Sequence, residues 1–289
     1  MSLDAFIAAA WEDHGDHPEE VADRLAGALD LVVSPADIPP FVRIVTHVYG
    51  EHLARWGAGV ALLESLRGRP QLGEDLAAAG AITRSVAVLR YAGNIDTALA
   101  HLSTDDRIAV LATAASALAA QLGWKRAIAT YEEALRLAEP GLPSGSPALR
   151  ALAVAGNNLA ASLEEKPDRD PVETRGMVAA AEGGLRFWRL AGTWLEEERA
   201  EYRLARSLLQ AGDPAAAVEH ARRCVDICAA NDALPFERFF GYAVLAIARM
   251  RVGDSAAQAT ARQLALDQYA LVAPDEKQWC EPELNELGR

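Results

Sequence analysis

QLGWKRAIATYEEALRLAEP, residues 121–140, decides how this chain is read. Ala127, Tyr131 and Ala134 recur at i, i+4 and i+7, one face of an α-helix. Pro140 follows shortly after the last turn, where a helix does not continue. Small residues at two of the three positions let a second backbone approach closely, and the tyrosine fills the space that remains. The segment has the make-up of half a helical hairpin, and its partner lies immediately upstream. In IAVLATAASALAAQLG, residues 108–123, Leu111, Ala114, Ala115 and Leu118 fall at i, i+3, i+4 and i+7. Ser103-Thr104-Asp105-Asp106 opens that helix with a capping hydroxyl and first-turn acids.

Looser copies surround this hairpin. Leu204, Ala205 and Leu208, then Gly212-Asp213, precede Ala217, Ala221 and Cys224. Tyr242, Leu245 and Ala246, then Gly253-Asp254, precede Ala257, Ala261 and Leu264 with a slip of one residue. Asn157-Asn158-Leu159-Ala160 opens a further first helix, and Tyr91-Ala92-Gly93 with Ala98 is a truncated match. The pattern resembles the tetratricopeptide repeat, whose first helix carries large, Leu, small and large residues and whose second carries small, aromatic, small and then proline. A single hairpin cannot bury its own apolar face, so neighbours must stack. The resemblance implies an all-α, α-α superhelix, a right-handed solenoid of about seven antiparallel helical hairpins. Residues 1–70 have the hairpin rhythm with few signature positions and read as degenerate or capping. Residues 71–272 read as the array, and 273–289 as an acidic C-terminal tail or cap.

The remaining segments keep the same period. Residues 3–13 carry Phe6, Ile7, Ala10 and Trp11 on one face, and Pro18 opens a helix bearing Val21, Leu25, Ala28, Leu29 and Val32. Ser34-Pro35 and Pro39-Pro40 are expected to end that hairpin. A third helix runs over 41–53, and a fourth from Gly57-Ala58-Gly59 to Gly68-Arg69-Pro70. A fifth spans 72–92 and closes at Gly93-Asn94, and a short sixth surrounds Ala98. Beyond a proline- and glycine-rich loop over 139–147 and a break over 166–171, helices are expected near 172–191, 194–211, 214–230, 234–252 and 254–271. Leu31-Val32-Val33 is the one β-rich tripeptide, and it closes a helix.

Composition narrows the partners. The formal charge of −13 repels phosphate backbones and anionic lipid, which excludes nucleic acid and membrane surface as expected partners. Three cysteines, Cys224, Cys228 and Cys280, are too few for a disulfide framework and suit a reducing compartment. No apolar run is long enough to span a bilayer, and MSLDAFIAAAWEDH lacks the basic start of a secretory signal. A cytoplasmic protein is expected.

Each candidate site has a structural explanation that serves as well. His220, Cys224 and Cys228 stand at i, i+4 and i+8 and could ligate zinc, but Cys224 fills a packing slot and no fourth ligand is evident. Asp13, His14, Asp16 and His17 crowd one turn that capping and turn chemistry account for. His47 and His52 are five apart, which on an α-helix does not make a shared face. His101 reads as a helix-end residue. Asp168-Arg169-Asp170 has a calcium-like alternation without the glycine turn or terminal Glu that a loop needs. Gly183-Gly184 lies in a helical pattern with no lysine after it, and no motif joins a nucleophile to a base. No catalytic residue, metal ligand or cofactor is therefore expected.

Surface remains. By the resemblance, side chains two before and two after the Leu position of each first helix line a concave groove: Asn157, Tyr202, Arg206, Ala243 and Ile247. Asn, Tyr and Arg together suit a peptide backbone or carboxylate. Phe236, Phe239 and Phe240 are expected to pack between hairpins. The leading expectation is a non-enzymatic scaffold that binds a protein or peptide segment in this groove. One alternative is a ligand- or peptide-sensing regulator acting through a protein partner. Another is a metal-dependent enzyme using the His14/His17 region or the His220–Cys228 stripe. Self-association into a homodimer through a terminal hairpin is a further expectation, since array ends expose apolar surface unless capped.

Overall fold

Local sequence sets most helix ends. In the computed structural model, which describes residues 1–69, 75–95 and 99–288, fourteen α-helices and no strand are found among the described residues. The chain divides into two compact units, Met1–Ala155 and Gly156–Arg289.

The first unit holds α1 (Leu3–Asp13), α2 (Pro18–Gly27), α3 (Ile38–Thr46), α4 (Trp56–Glu64), α5 (Leu76–Ala92), α6 (Thr104–Ala120) and α7 (Trp124–Leu137). The eighth helix, α8 (Pro147–Glu165), crosses the division between units. Ser2 caps α1 by accepting from the Ala5 amide, Asp75 caps α5 through Ala78, and Ser103 caps α6 through Asp106. Short connections place consecutive helices side by side, and α6 packs on both α5 and α7. Leu111, Ala114, Ala115, Ala127, Tyr131 and Ala134 are all buried, and the Tyr131 hydroxyl donates to the Leu152 carbonyl at 2.8 Å. These are packing residues, as their small-large alternation indicates.

Pro39-Pro40 was expected to end a hairpin but lies in the first turn of α3 instead. Proline lacks only an amide that is unpaired there, and its φ is already helical. The expected third helix is also not uniform: α3 gives way at His47–His52 to a π-helical turn. The beginning of the expected fifth helix at 72–74, the short helix around Ala98, and the limits of the 1–70 and 71–272 segments at Pro70 and Gln71 lie outside the described residues.

The second unit continues with α9 (Pro171–Ala191), α10 (Trp194–Ala211), α11 (Pro214–Ala230), α12 (Pro235–Arg251) and α13 (Ser255–Leu271). A 3₁₀ turn over Lys277–Cys280 and α14 (Glu281–Glu286) complete it. Asp170 and Thr193 form capping boxes with Glu173 and Glu196. The expected break over 166–171 is the connection between α8 and α9. Arg169 fills it by donating to the carbonyls of Leu163, Glu164 and Lys166, the open end of α8. Each helix from α9 to α13 packs on the next, and α12 also touches α10 and α14. No helix among the described residues is long and apolar enough to cross a membrane.

Candidate functional site

The four groove residues contributed by α10 and α12 converge on a single object, the chain's own C-terminal helix. Cys280, Leu284 and Leu287 stand at i, i+4 and i+7, so one side of that short segment is apolar. All three are buried in a cluster with Phe239, Ala243, Ala246, Ile247, Ala261 and Ala265. Ala243 is small enough for the incoming helix to approach, and Ile247 beside it supplies apolar contact.

Charges complete the seat. The Tyr202 hydroxyl donates to Glu283. Arg206 Nη1 donates to Glu286 Oε2 at 2.7 Å, and Arg251 stands 3.6 Å from the other oxygen of the same carboxylate. Arg262 holds the end of the segment, donating from Nε to the Leu287 carbonyl at 3.1 Å and from Nη2 to that of Gly288 at 2.8 Å. Burial first, and then the Glu283 carboxylate, push the Tyr202 phenol well above its ordinary range. It therefore stays a hydrogen-bond donor throughout the neutral range. Phe240 meets the Tyr202 ring edge-on at 5.6 Å and packs on Phe236 and Phe239. The expected phenylalanine cluster thus lines the seat of the tail. Asn157, half-buried in α8, makes no hydrogen bond to the tail among the described residues.

The inner face of α10 carries more charge than its sequence period suggests. Glu201 is fully buried and receives Arg189, His220 Nδ1 at 2.6 Å and Arg223 at 3.8 Å. Glu164 takes Arg203 at 2.5 Å and the Ser207 hydroxyl at 2.6 Å. Glu237 takes Arg199. Glu198 differs: it is fully buried, no nitrogen or oxygen donor reaches its carboxyl oxygens, and the Cys228 thiol is beside them. Burial, with Glu237 nearby, pushes it up to about 8, so it is neutral at pH 7.

The His220–Cys228 stripe does not assemble as a ligand set. His220 is tied to Glu201, and the Cys224 thiol donates to the Glu198 carbonyl. Burial raises the Cys224 thiol well above its ordinary range and pushes Cys228 up to about 12, so both stay protonated. In the first unit, Asp13 pairs with Arg24, and His17 lies exposed beside Glu20. His14 points elsewhere, to His47 and His52. The expectation that His47 and His52 share no face is corrected by the π-helical turn, which brings their Nε2 atoms to 3.2 Å. His101 is exposed, and Gly183 and Gly184 are buried within α9.

Sequence reasoning did not place Glu283, Leu284, Glu286, Leu287, Arg251 or Arg262 beside Tyr202, Arg206, Ala243 and Ile247. The signal was present in CEPELNEL, residues 280–287, whose apolar residues recur at i, i+4 and i+7 with acids between them. No protein-family model matches the chain, and no curated protein matches it.

Proposed function

We propose that the second unit is a stack of helical hairpins of the tetratricopeptide kind, a right-handed α-α superhelix, and that its groove binds a protein segment. The ligand is a short acidic amphipathic helix, with carboxylates at i and i+3 and apolar residues on the neighbouring stripe. The observation that carries this reading is the chain's own tail. Tyr202, Arg206 and Arg251 grip Glu283 and Glu286 while Ala243 and Ile247 bury Leu284 and Leu287. This is helix-in-groove recognition, in which apolar anchors supply affinity and charge-assisted hydrogen bonds fix register. The tail is tethered, so a free peptide competes against a high effective concentration and the resting groove is closed. Partners with this pattern open it.

The test is peptide binding by fluorescence anisotropy to the full chain and to a chain with a weakened tail, Leu284→Ala with Leu287→Ala. Labelled acidic amphipathic peptides, including one copying residues 277–288, are expected to bind the weakened chain at least tenfold more tightly than the native one. Adding Arg206→Ala should remove most of that binding. If no such peptide binds the weakened chain in an Arg206-dependent way, the tail is a fixed cap and the reading is wrong.

A further inference from the structure

The first unit contains a second constellation, independent of the groove. His14 follows α1 directly, and His47 and His52 open and close the π-helical turn after α3. Five α-helical residues turn side chains roughly 140° apart, at 3.6 residues per turn. A π turn takes in one more residue per hydrogen-bonded ring, which brings i and i+5 over one another and is frequent at functional sites. Leu53 donates to the Val48 carbonyl at 3.1 Å in that wider pattern. The three rings lie with centroids 4.8–5.1 Å apart, and one nitrogen from each falls within 4.8 Å of the others.

We propose that His14, His47 and His52 form a binding site for a zinc-class divalent transition-metal ion, with one coordination position open. Three features of the geometry suit an ion better than mere ring packing. His47 Nε2 and His52 Nε2 are 3.2 Å apart, close to the ~3.3 Å edge of a tetrahedron around zinc with bonds of about 2.0–2.1 Å. Two of the rings already have the outer partners that orient metal-bound imidazoles. His14 Nδ1 donates to the Trp11 carbonyl at 2.6 Å, and His47 Nδ1 lies 3.0 Å from Glu51 Oε2, the carboxylate neighbour that metal-bound imidazoles commonly have. With Nδ1 protonated, each of these rings keeps an unprotonated Nε2 for an ion.

His47 Nε2 and His52 Nε2 share one hydrogen bond, and a tautomer shift that carries its proton to the outer nitrogen of that ring frees both atoms for an ion with no change in net charge. The framework is also braced. Trp11 lies 5.0 Å from the rings of His14 and His47, and Gln121 Nε2 donates to the Glu51 carbonyl at 2.7 Å. Three imidazoles without thiolate suit zinc, cobalt or nickel. Three protein ligands leave a fourth position for water or an exogenous group.

Cobalt(II) titration of the chelator-stripped full-length chain tests this, followed by the visible bands of tetrahedral cobalt and by calorimetry with zinc. One ion per chain is expected, with affinity reduced at least a hundredfold in His14→Gln and His52→Gln and unchanged in His17→Gln. Glu51→Gln keeps all three ligands and should weaken binding by about ten- to a hundredfold with the cobalt bands retained. This variant answers the question even if a histidine variant does not fold. Absence of tetrahedral bands in the native chain overturns the proposal, as does binding indifferent to both Glu51→Gln and His52→Gln.

Discussion

The tail seat on α10 and α12 and the histidine cluster beside α3 are both built from side chains far apart in sequence, but they assemble by opposite means. Tyr202, Arg206, Ala243 and Ile247 sit on uninterrupted α-helices, and the tail comes to them with matching charges. His47 and His52 meet only because the helix departs from its normal period. The seat is complete, because every cation in it has an acid or a carbonyl. The cluster is polar, close-packed and composed of three like rings, so its nitrogens satisfy only part of their bonding capacity among themselves. Regular geometry makes a self-contained contact here, and irregular geometry leaves one with capacity to spare.

The largest expected effect concerns Glu198, a fully buried carboxyl on α10 that no nitrogen or oxygen donor reaches. Glu198 carries its proton in the folded chain up to about 8, whereas its ordinary value is 4.5. Between those values the native state holds a proton that the unfolded chain has lost. Stability therefore falls as pH rises across that window and is level above it. At 1.36 kcal/mol per unit the loss is roughly 5 kcal/mol. Glu237 and Arg199 from the neighbouring pair, and the protonated Cys224 and Cys228, face the same region. Glu198→Gln should flatten the decline, read as the denaturant midpoint at pH 5, 7 and 8.5. A native chain with a flat profile would mean that Glu198 has found a partner.

Next in size is Leu284→Asp, which places a carboxylate in the apolar cluster that receives the tail. A buried unpaired charge costs several kcal/mol unless the segment leaves its site, so about 3 kcal/mol of local stability is expected to be lost. Hydrogen exchange over residues 277–288 should rise towards the unfolded rate, while α5 to α7 exchange as before. Equal loosening of both units would show that the tail does more than complete its own apolar cluster.

Legibility in the sequence followed the same division. Hairpins from α6 onward were readable because small and large residues recur at a helical period, and Ala127, Tyr131 and Ala134 are buried as that period requires. The face of α10 that receives the tail was readable for the same reason, since Tyr202 and Arg206 are one turn apart. Its occupant was harder to see, because six residues of α14 are too few for a periodic signal. The ion pairs inside α10 were hidden: Glu198 and Glu201 look like surface charge until their neighbours are placed. The contact between His47 and His52 was not readable. A π turn has no sequence period of its own, and what holds it open is packing beneath it.

That packing can be broken at a single atom. A Cβ at Gly59 would lie 2.6 Å from Leu89 Cδ1 and 2.9 Å from Tyr49 Cβ. Leu89 can swing its methyl aside, but Tyr49 Cβ belongs to the π turn and moves only with the backbone. Gly59→Ala gains about 1 kcal/mol of helix propensity and incurs overpacking of about 1–3 kcal/mol, a net loss of up to about 2 kcal/mol. Histidine side-chain NMR shifts should move at His47 and His52 and stay put at His220. A stabilised variant with unshifted histidines would show that Gly59 does not support the turn.

The smallest effect sharpens the other side of the comparison. Arg206 and Glu286 keep side-chain exposures of 18% and 28%, so water screens their bond in part. Arg251 remains within 3.6 Å of the same carboxylate when Arg206 is removed. Arg206→Ala should therefore cost only about 1 kcal/mol, raising hydrogen exchange over 281–288 roughly fivefold without changing the melting temperature of the first unit. Arg251→Ala, at the longer distance and with 59% side-chain exposure, should do less. The reverse order would place the grip on Glu286 at the rim, and the groove residues read from the sequence would then be neighbours of the site instead of its centre.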